Sequence, residues 1–146
     1  MVDTPRSILF ACTWNAVRSP IAEGIMKRFF GEQIYIDSVG VRLGDIDPFA
    51  IAVMDEIGID MSIHKSKTFD DLESEVFDIV ISLSPEAQHK AIEMTRNVSC
   101  EVIFWHTMDP SIVEGSRETR LGAFRQIRDE LMFKLRERFG QLVPVP

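Results

Sequence analysis

The chain has 146 residues, enough for one domain with a core that needs neither disulfides nor a structural metal. Its 16 Lys and Arg against 23 Asp and Glu leave a net charge of −7, which argues against a basic face for nucleic acid. Glycine, proline and serine are not in excess, so a disordered chain is not expected.

The first apolar run, Ser7 to Ala11, is short and continuous, as in a central parallel strand. It is too short for a signal peptide or a membrane span, so a cytoplasmic protein with no membrane partner is expected. Similar strand-like runs follow at Ile34–Val39, Phe77–Ile81 and Glu101–Trp105. Ser19-Pro20, Asp47-Pro48 and Ser84-Pro85 each pair an N-cap acceptor with a first-turn proline and predict three helix starts. After Pro20, Ile21, Ile25 and Phe29, with Met26 and Phe30 alongside, predict a core-facing stripe. The second helix is expected from Pro48 toward Ile57, stopped by Gly58 in a left-handed turn. The last is expected from about Thr119 to Phe139, with Phe124, Ile127, Leu131 and Leu135 inward and Gly140, Pro144 and Pro146 ending it.

Strands alternating with helices predict one α/β domain over 1–146. The expected form is a three-layer sandwich with a central, mostly parallel four-stranded sheet and helices on both faces. Ligands of such sheets sit beyond the carboxyl ends of the strands.

The first strand-to-helix turn lies there and reads Cys12-Thr13-Trp14-Asn15-Ala16-Val17-Arg18-Ser19-Pro20. Backbone N–H groups of a tight loop leading into a helix N-terminus form an anion cradle, so Thr13 to Ser19 are candidate phosphate-binding residues. Arg18 adds a planar fork for two oxygens. Both features stabilise negative charge on Cys12, making it the candidate nucleophile. Ser19 stands where it can donate to the sulfur when it departs. Each residue alone reads as a buried cysteine, a surface arginine or a capping serine; the joint spacing at a strand–loop–helix junction points to chemistry.

The stretch Leu9 to Glu23 closely resembles the signature of low-molecular-weight protein tyrosine phosphatases, whose fold includes a branch of arsenate reductases. Ile36-Asp37-Ser38, Asp47-Pro48 through Asp60, His64-Lys65-Ser66-Lys67 and Asp109-Pro110 extend the resemblance over nearly the whole chain. It implies that Asp109 is the general acid that protonates the leaving group and later the base for water. From the residues alone, Asp109-Pro110 reads equally as a turn or helix cap. The resemblance also implies that Asn15, Ser38 and His64, joined by Ser19, hold the loop in a strained shape. Asparagine suits Asn15 because it tolerates a left-handed backbone.

Four departures stand out. Val17 occupies the place of a second loop cysteine, so the nucleophile lacks that protecting partner. Trp14 replaces a glycine, either as a wall for an aromatic substrate or packed on neighbouring loops. Ser111 replaces the tyrosine that flanks phosphotyrosine, and Val41 to Gly44 carries no aromatic. Ala123 to Leu131 looks more like the reductase branch, yet Ser82, Ser84 and Ala87 stand where reductases carry relay cysteines.

A disulfide between Cys12 and Cys100 is not expected in a reducing compartment. His64, His89 and His106 lack metal-site spacing, so neither metal nor cofactor is expected. The resulting expectation is a phosphomonoester hydrolase, a monomer or weak dimer, acting on a phosphorylated protein or small aryl phosphate. An arsenate reductase using an external thiol is the alternative. A third possibility is a phosphate-binding module descended from the phosphatase.

Overall fold

Alternate residues of the first strand, β1 (Ser7–Cys12), feed two different cores. Ile8, Phe10 and Cys12 pack on one face of the sheet, Leu9 and Ala11 on the other. Because strand side chains alternate in direction, a run apolar at every position can sit only where both faces are covered. The computed structural model describes residues 4–73 and 76–140 and bears this out. β2 (Tyr35–Gly40), β3 (Ile79–Ser82) and β4 (Glu101–Phe104) complete a sheet ordered β2-β1-β3-β4, with every pairing parallel. The α/β expectation therefore holds.

Helices α1 (Arg18–Phe30), α2 (Pro48–Asp55) and α4 (Arg117–Phe139) supply the first core, α3 (Pro85–Met94) the second. Ile21, Ile25, Met26 and Phe30 of α1 are buried, as are Phe124, Ile127, Leu131 and Leu135 of α4. Phe29 departs from its expected inward place: it is 42% exposed, with the Arg136 guanidinium 5.9 Å from its ring. Phe30, one position on, takes the core site, and Phe29 lies about 100° round the helix from it, on the side of Arg136.

The capping signals mostly hold. Asp47 accepts from Phe49 N–H and Ser84 from Ala87 N–H, and Gly58 has φ +80° after α2. α4 begins slightly before its expected start, where Ser116 accepts from Thr119 N–H. Gly140 caps α4 in a right-handed conformation, and Pro144 and Pro146 lie outside the described residues. The expectation that Ser19 caps α1 fails. α1 starts at Arg18 behind Val17, without a side-chain cap, and Ser19 lies inside its first turn. Its hydroxyl is engaged elsewhere, as described below.

α2 and α4 are clasped together by Glu56, which takes Arg125 Nε at 3.0 Å and Arg128 Nη1 at 2.8 Å. These hydrogen bonds hold the Glu56 carboxyl down at about 2. No helix among the described residues is long and apolar enough to cross a membrane.

Phe124 of α4 is fully buried in the first core, whereas Phe133 on the same helix is 64% exposed. Phe124→Ala is expected to cost about 3–5 kcal/mol in urea denaturation. Phe133→Ala is expected to stay within about 0.5 kcal/mol.

Candidate active site

Beyond the carboxyl end of β1, residues 13–17 form a loop, and the carbonyls of Cys12, Thr13, Trp14 and Ala16 are turned toward one neighbouring segment of chain. Val41 N–H donates to Cys12 O at 3.0 Å, Arg42 N–H to Thr13 O at 2.8 Å, Gly44 N–H to Trp14 O at 3.1 Å and Asp47 N–H to Ala16 O at 3.0 Å. The segment after β2 thus acts as a strap over the outside of the loop. With its carbonyls satisfied outward, the loop keeps its N–H groups for something else. Among the described residues none of the N–H groups of Thr13 to Val17 donates to a protein acceptor. Buried backbone donors are rarely left unpaired in proteins. A concave row of them at a helix N-terminus is an anion site.

Asn15 shapes this loop. It is the only non-glycine residue with positive φ (55°) among those described, and it is fully buried. Its Nδ2 donates to Ser19 Oγ and to Ser38 Oγ, both at 2.9 Å. Its Oδ1 accepts from Lys67 N–H at 3.0 Å and meets His64 Nε2 at 3.2 Å. Its main-chain oxygen accepts from Ser66 Oγ at 2.9 Å. The Lys67 amide can only donate, so the amide oxygen faces it, and His64 must then carry its proton on Nε2.

The same logic orders the next bonds. Ser38 accepts from Asn15 and sends its own proton to Glu23 Oε1. Glu23, one turn past Ser19 on α1, is 8% exposed and also binds Lys27. Ser19 Oγ accepts from Asn15 and stands 2.9 Å from Cys12 Sγ, against 3.4 Å to Val39 O. When the sulfur is a thiolate, the serine proton points to it. That engagement is why Ser19 cannot cap the helix.

Arg18 is 7% exposed, and its Nη1 donates to Thr107 O at 2.7 Å. That bond ties the helix to the loop after β4, because Thr107 N–H in turn reaches Leu83 O at 3.0 Å. Most of the guanidinium's donors remain for an anion. Asp109 lies two residues further along this loop. It accepts from Ser111 N–H at 2.9 Å and Ser111 Oγ at 2.7 Å, so it does cap the short turn Pro110–Ile112. The capping expectation for Asp109 is met.

A cavity of about 210 Å³ is lined by Cys12, Trp14, Ala16, Val17, Arg18 and Asp109, with Gly44, Asp47 and Ser111 at its edges. The side chains of Asn15, Ser19, Ser38 and His64 lie behind it, in the network just described. Thr13 also turns aside, its hydroxyl donating to Ser84 Oγ at 3.1 Å. Trp14 is 44% exposed: one face borders the cavity region, and the Arg42 guanidinium lies 5.5 Å from its ring centroid.

Sequence reasoning missed four contributors. Glu23 was legible from its four-residue spacing after Ser19. Asp47 carries in the sequence only the signal of a helix cap. Thr107 acts through its main chain, which leaves no residue-type signal. Gly40 ends β2 where a Cβ would lie 2.6 Å from Asn15 N and 2.7 Å from Trp14 C, so only glycine lets the strap pass this close.

Cys100 lies at the other end of the sheet. Ala11 pairs with Ser82 and Ser82 with Phe104, whereas Cys100 precedes the first residue of β4. Two strand spacings and about five residues of rise separate the sulfurs by on the order of 20 Å. A disulfide needs Cα atoms within roughly 7 Å.

Residues 7–143 match the low molecular weight phosphotyrosine protein phosphatase family. An arsenate reductase of Halalkalibacterium halodurans is 35% identical over 124 residues, covering 85% of this chain and 88% of that protein. Two solved structures share the fold closely. An arsenate reductase in its oxidized state superposes with TM-score 0.77 at 26% identity, covering 93% of this chain and 98% of that one. A mutant of YwlE from Bacillus subtilis superposes with TM-score 0.76 at 26% identity, covering 93% and 97%. The chain belongs to the low molecular weight phosphotyrosine protein phosphatase family and is an enzyme of its cysteine-dependent kind.

Two outcomes test this geometry. Gly40→Ala is expected to weaken phosphate or vanadate binding by at least about tenfold, read by calorimetry, because the strap must lift off the loop. His64 is pushed below its ordinary value by burial, with Glu23 opposing. A histidine held low in the fold adds stability that is complete above the unfolded value of about 6.5 and is lost as pH falls through the folded value. Stability of the native protein should therefore drop on that acid limb, and His64→Gln should flatten it in denaturation curves across pH.

Proposed function

We propose that the chain is a phosphomonoester hydrolase acting through a cysteinyl-phosphate intermediate. One observation carries the reading: Cys12, Arg18 and Asp109 line a single small cavity together with Trp14, Ala16 and Val17 of the loop, whose N–H groups bond no protein acceptor among the described residues. In this scheme the Cys12 thiolate attacks phosphorus, forming an S–P bond as the ester P–O bond breaks. Arg18 and the loop N–H groups hold the equatorial oxygens, where charge is carried through the transition state. Asp109 gives its proton to the departing oxygen. It then takes a proton from the water that attacks phosphorus, and inorganic phosphate leaves as the S–P bond breaks. The Ser19 hydroxyl donates to the sulfur as it leaves, which makes the thiolate the better leaving group.

The substrate side of the cavity favours an accessible phosphate ester over a deep aromatic slot. A cavity of about 210 Å³, with a tryptophan at its edge and a serine at position 111, admits the phosphoryl group and a modest part of whatever bears it. A phosphorylated protein side chain or a small aryl phosphate meets that requirement.

The alternative is arsenate reduction, favoured by the names of relatives at 35% and 32% identity. Arsenate would use the same cradle, with Cys12 attacking arsenic. The separation of Cys100 from Cys12 leaves such a reaction dependent on an external small thiol to supply both electrons.

Steady-state rates separate the two. Wild-type protein is expected to turn over an aryl phosphate without added metal or thiol. Cys12→Ser should abolish turnover, and Asp109→Asn should lower kcat by about 10²–10⁴. Thiol-dependent arsenite release with negligible aryl phosphate hydrolysis would instead support the reductase.

A further inference from the structure

The four residues His64 to Lys67 grip Asn15 from one side, through His64 Nε2, Ser66 Oγ and Lys67 N–H. From their other side, His64, Lys65 and Lys67 wall a second cavity that the chemistry at Cys12 does not use. Its volume is about 630 Å³, within the range of roughly 300–1,000 Å³ typical of small-molecule sites. The 210 Å³ cavity at Cys12 falls below that range.

The lining has two parts. Pro20, Gly24, Ile59, Met61 and Ile63 give an apolar surface, and Ile63 is 83% exposed within it. The charged part is unevenly paired. Lys27 is taken by Glu23 and Lys67 by Asp37 at 2.7 Å, while Asp60 is occupied by Ser62 N–H and Oγ. Arg28 reaches only the Gly58 carbonyl, at 3.2 Å, and Lys65 meets no carboxylate among the described residues. On a protein of net charge −7, a lining with Lys27, Arg28, Lys65 and Lys67 against Glu23, Asp37 and Asp60 is locally net positive beside an apolar surface, and this defines a preference. That preference is for an anion carrying an apolar body, because the cations supply charge and the floor supplies burial.

The position of the cavity gives such a ligand a consequence. Glu23 and His64 form its inner wall and are bonded, respectively, to Ser38 and to Asn15. We propose that this cavity is a regulatory site for a small organic anion with an apolar body, and that its occupancy is transmitted to the Cys12 loop through residues 64–67 and Glu23. A ligand that draws Lys65 or His64 outward loosens the hold on Asn15, and one that seats them firmly tightens it. Binding at either site then changes affinity at the other by the same factor.

The test uses the full chain and no turnover, so it stands apart from the hydrolase reading. Anilinonaphthalene sulfonate, an aryl sulfonate, is titrated by fluorescence and calorimetry with and without saturating vanadate. One saturable site that survives vanadate is expected. Lys65→Glu and Ile63→Asp, both exposed positions, should each weaken it by about tenfold with unchanged circular dichroism and thermal unfolding. Vanadate affinity should shift in the presence of the probe, reciprocally with the shift vanadate causes. Displacement of the probe by vanadate, or equal affinity in wild type and both variants, would overturn the site. Binding with no reciprocal shift would overturn the coupling.

Discussion

One amide side chain decides the shape of the Cys12 loop. Asn15 holds φ at 55° in a fully buried position and satisfies every hydrogen-bonding group of its side chain, with partners from α1, β2 and the 64–67 segment. A left-handed residue costs free energy that an exposed loop would shed by relaxing. Here it cannot relax without stranding several buried polar groups at once, each costing about 1–3 kcal/mol. The turned backbone is what directs consecutive N–H groups to one side. The strap from Val41 to Asp47 then removes the competing carbonyls by binding them from outside.

Electrostatics behind the loop follow from the same residue. The proton order runs from Asn15 to Ser38 to Glu23, and Lys27 closes it at the surface. A buried carboxylate thereby accepts from a hydroxyl and pairs with an ammonium. On the other branch Asn15 donates to Ser19, freeing the Ser19 proton for the sulfur. The network behind the loop orients groups that line the cavity without entering it. Arg18 completes the assembly by tying the loop after β4, and so Asp109, to the same helix start.

How much of this was legible beforehand depended on where the information resides. β1 and the parallel sheet were readable because a run from Ile8 to Cys12 that is apolar on both faces has few other destinations. Asp47 and Ser84 announced helix starts through residue chemistry that acts locally. Ser19 carried the same local signal and misled, since its hydroxyl is claimed by Asn15 and Cys12 across the turn. Phe29 misled because periodicity alone does not say which of two adjacent phenylalanines meets the core. The strap, the Thr107 carbonyl and the requirement for Gly40 are backbone relations between segments distant in sequence, and no residue type marks them. Trp14 was recognised as a departure from glycine. Its place between the cavity and Arg42 needed the tertiary structure.

The absence of a second thiol near Cys12 shapes the chemistry that follows. Val17 is buried beside the nucleophile, and Cys100 lies at the opposite end of the strands, its thiol pushed up by burial. The two described cysteines therefore do not form an internal redox pair, and a covalent adduct on Cys12 must be resolved by water or by an added thiol. The most direct test is rapid acid quench of the Asp109→Asn protein during its first turnover of an aryl phosphate, followed by mass spectrometry of the Cys12 peptide. Hydrolysis through the loop requires one phosphoryl group on that peptide, appearing with the released phenol. Phenol release with the Cys12 peptide unmodified throughout would contradict the account.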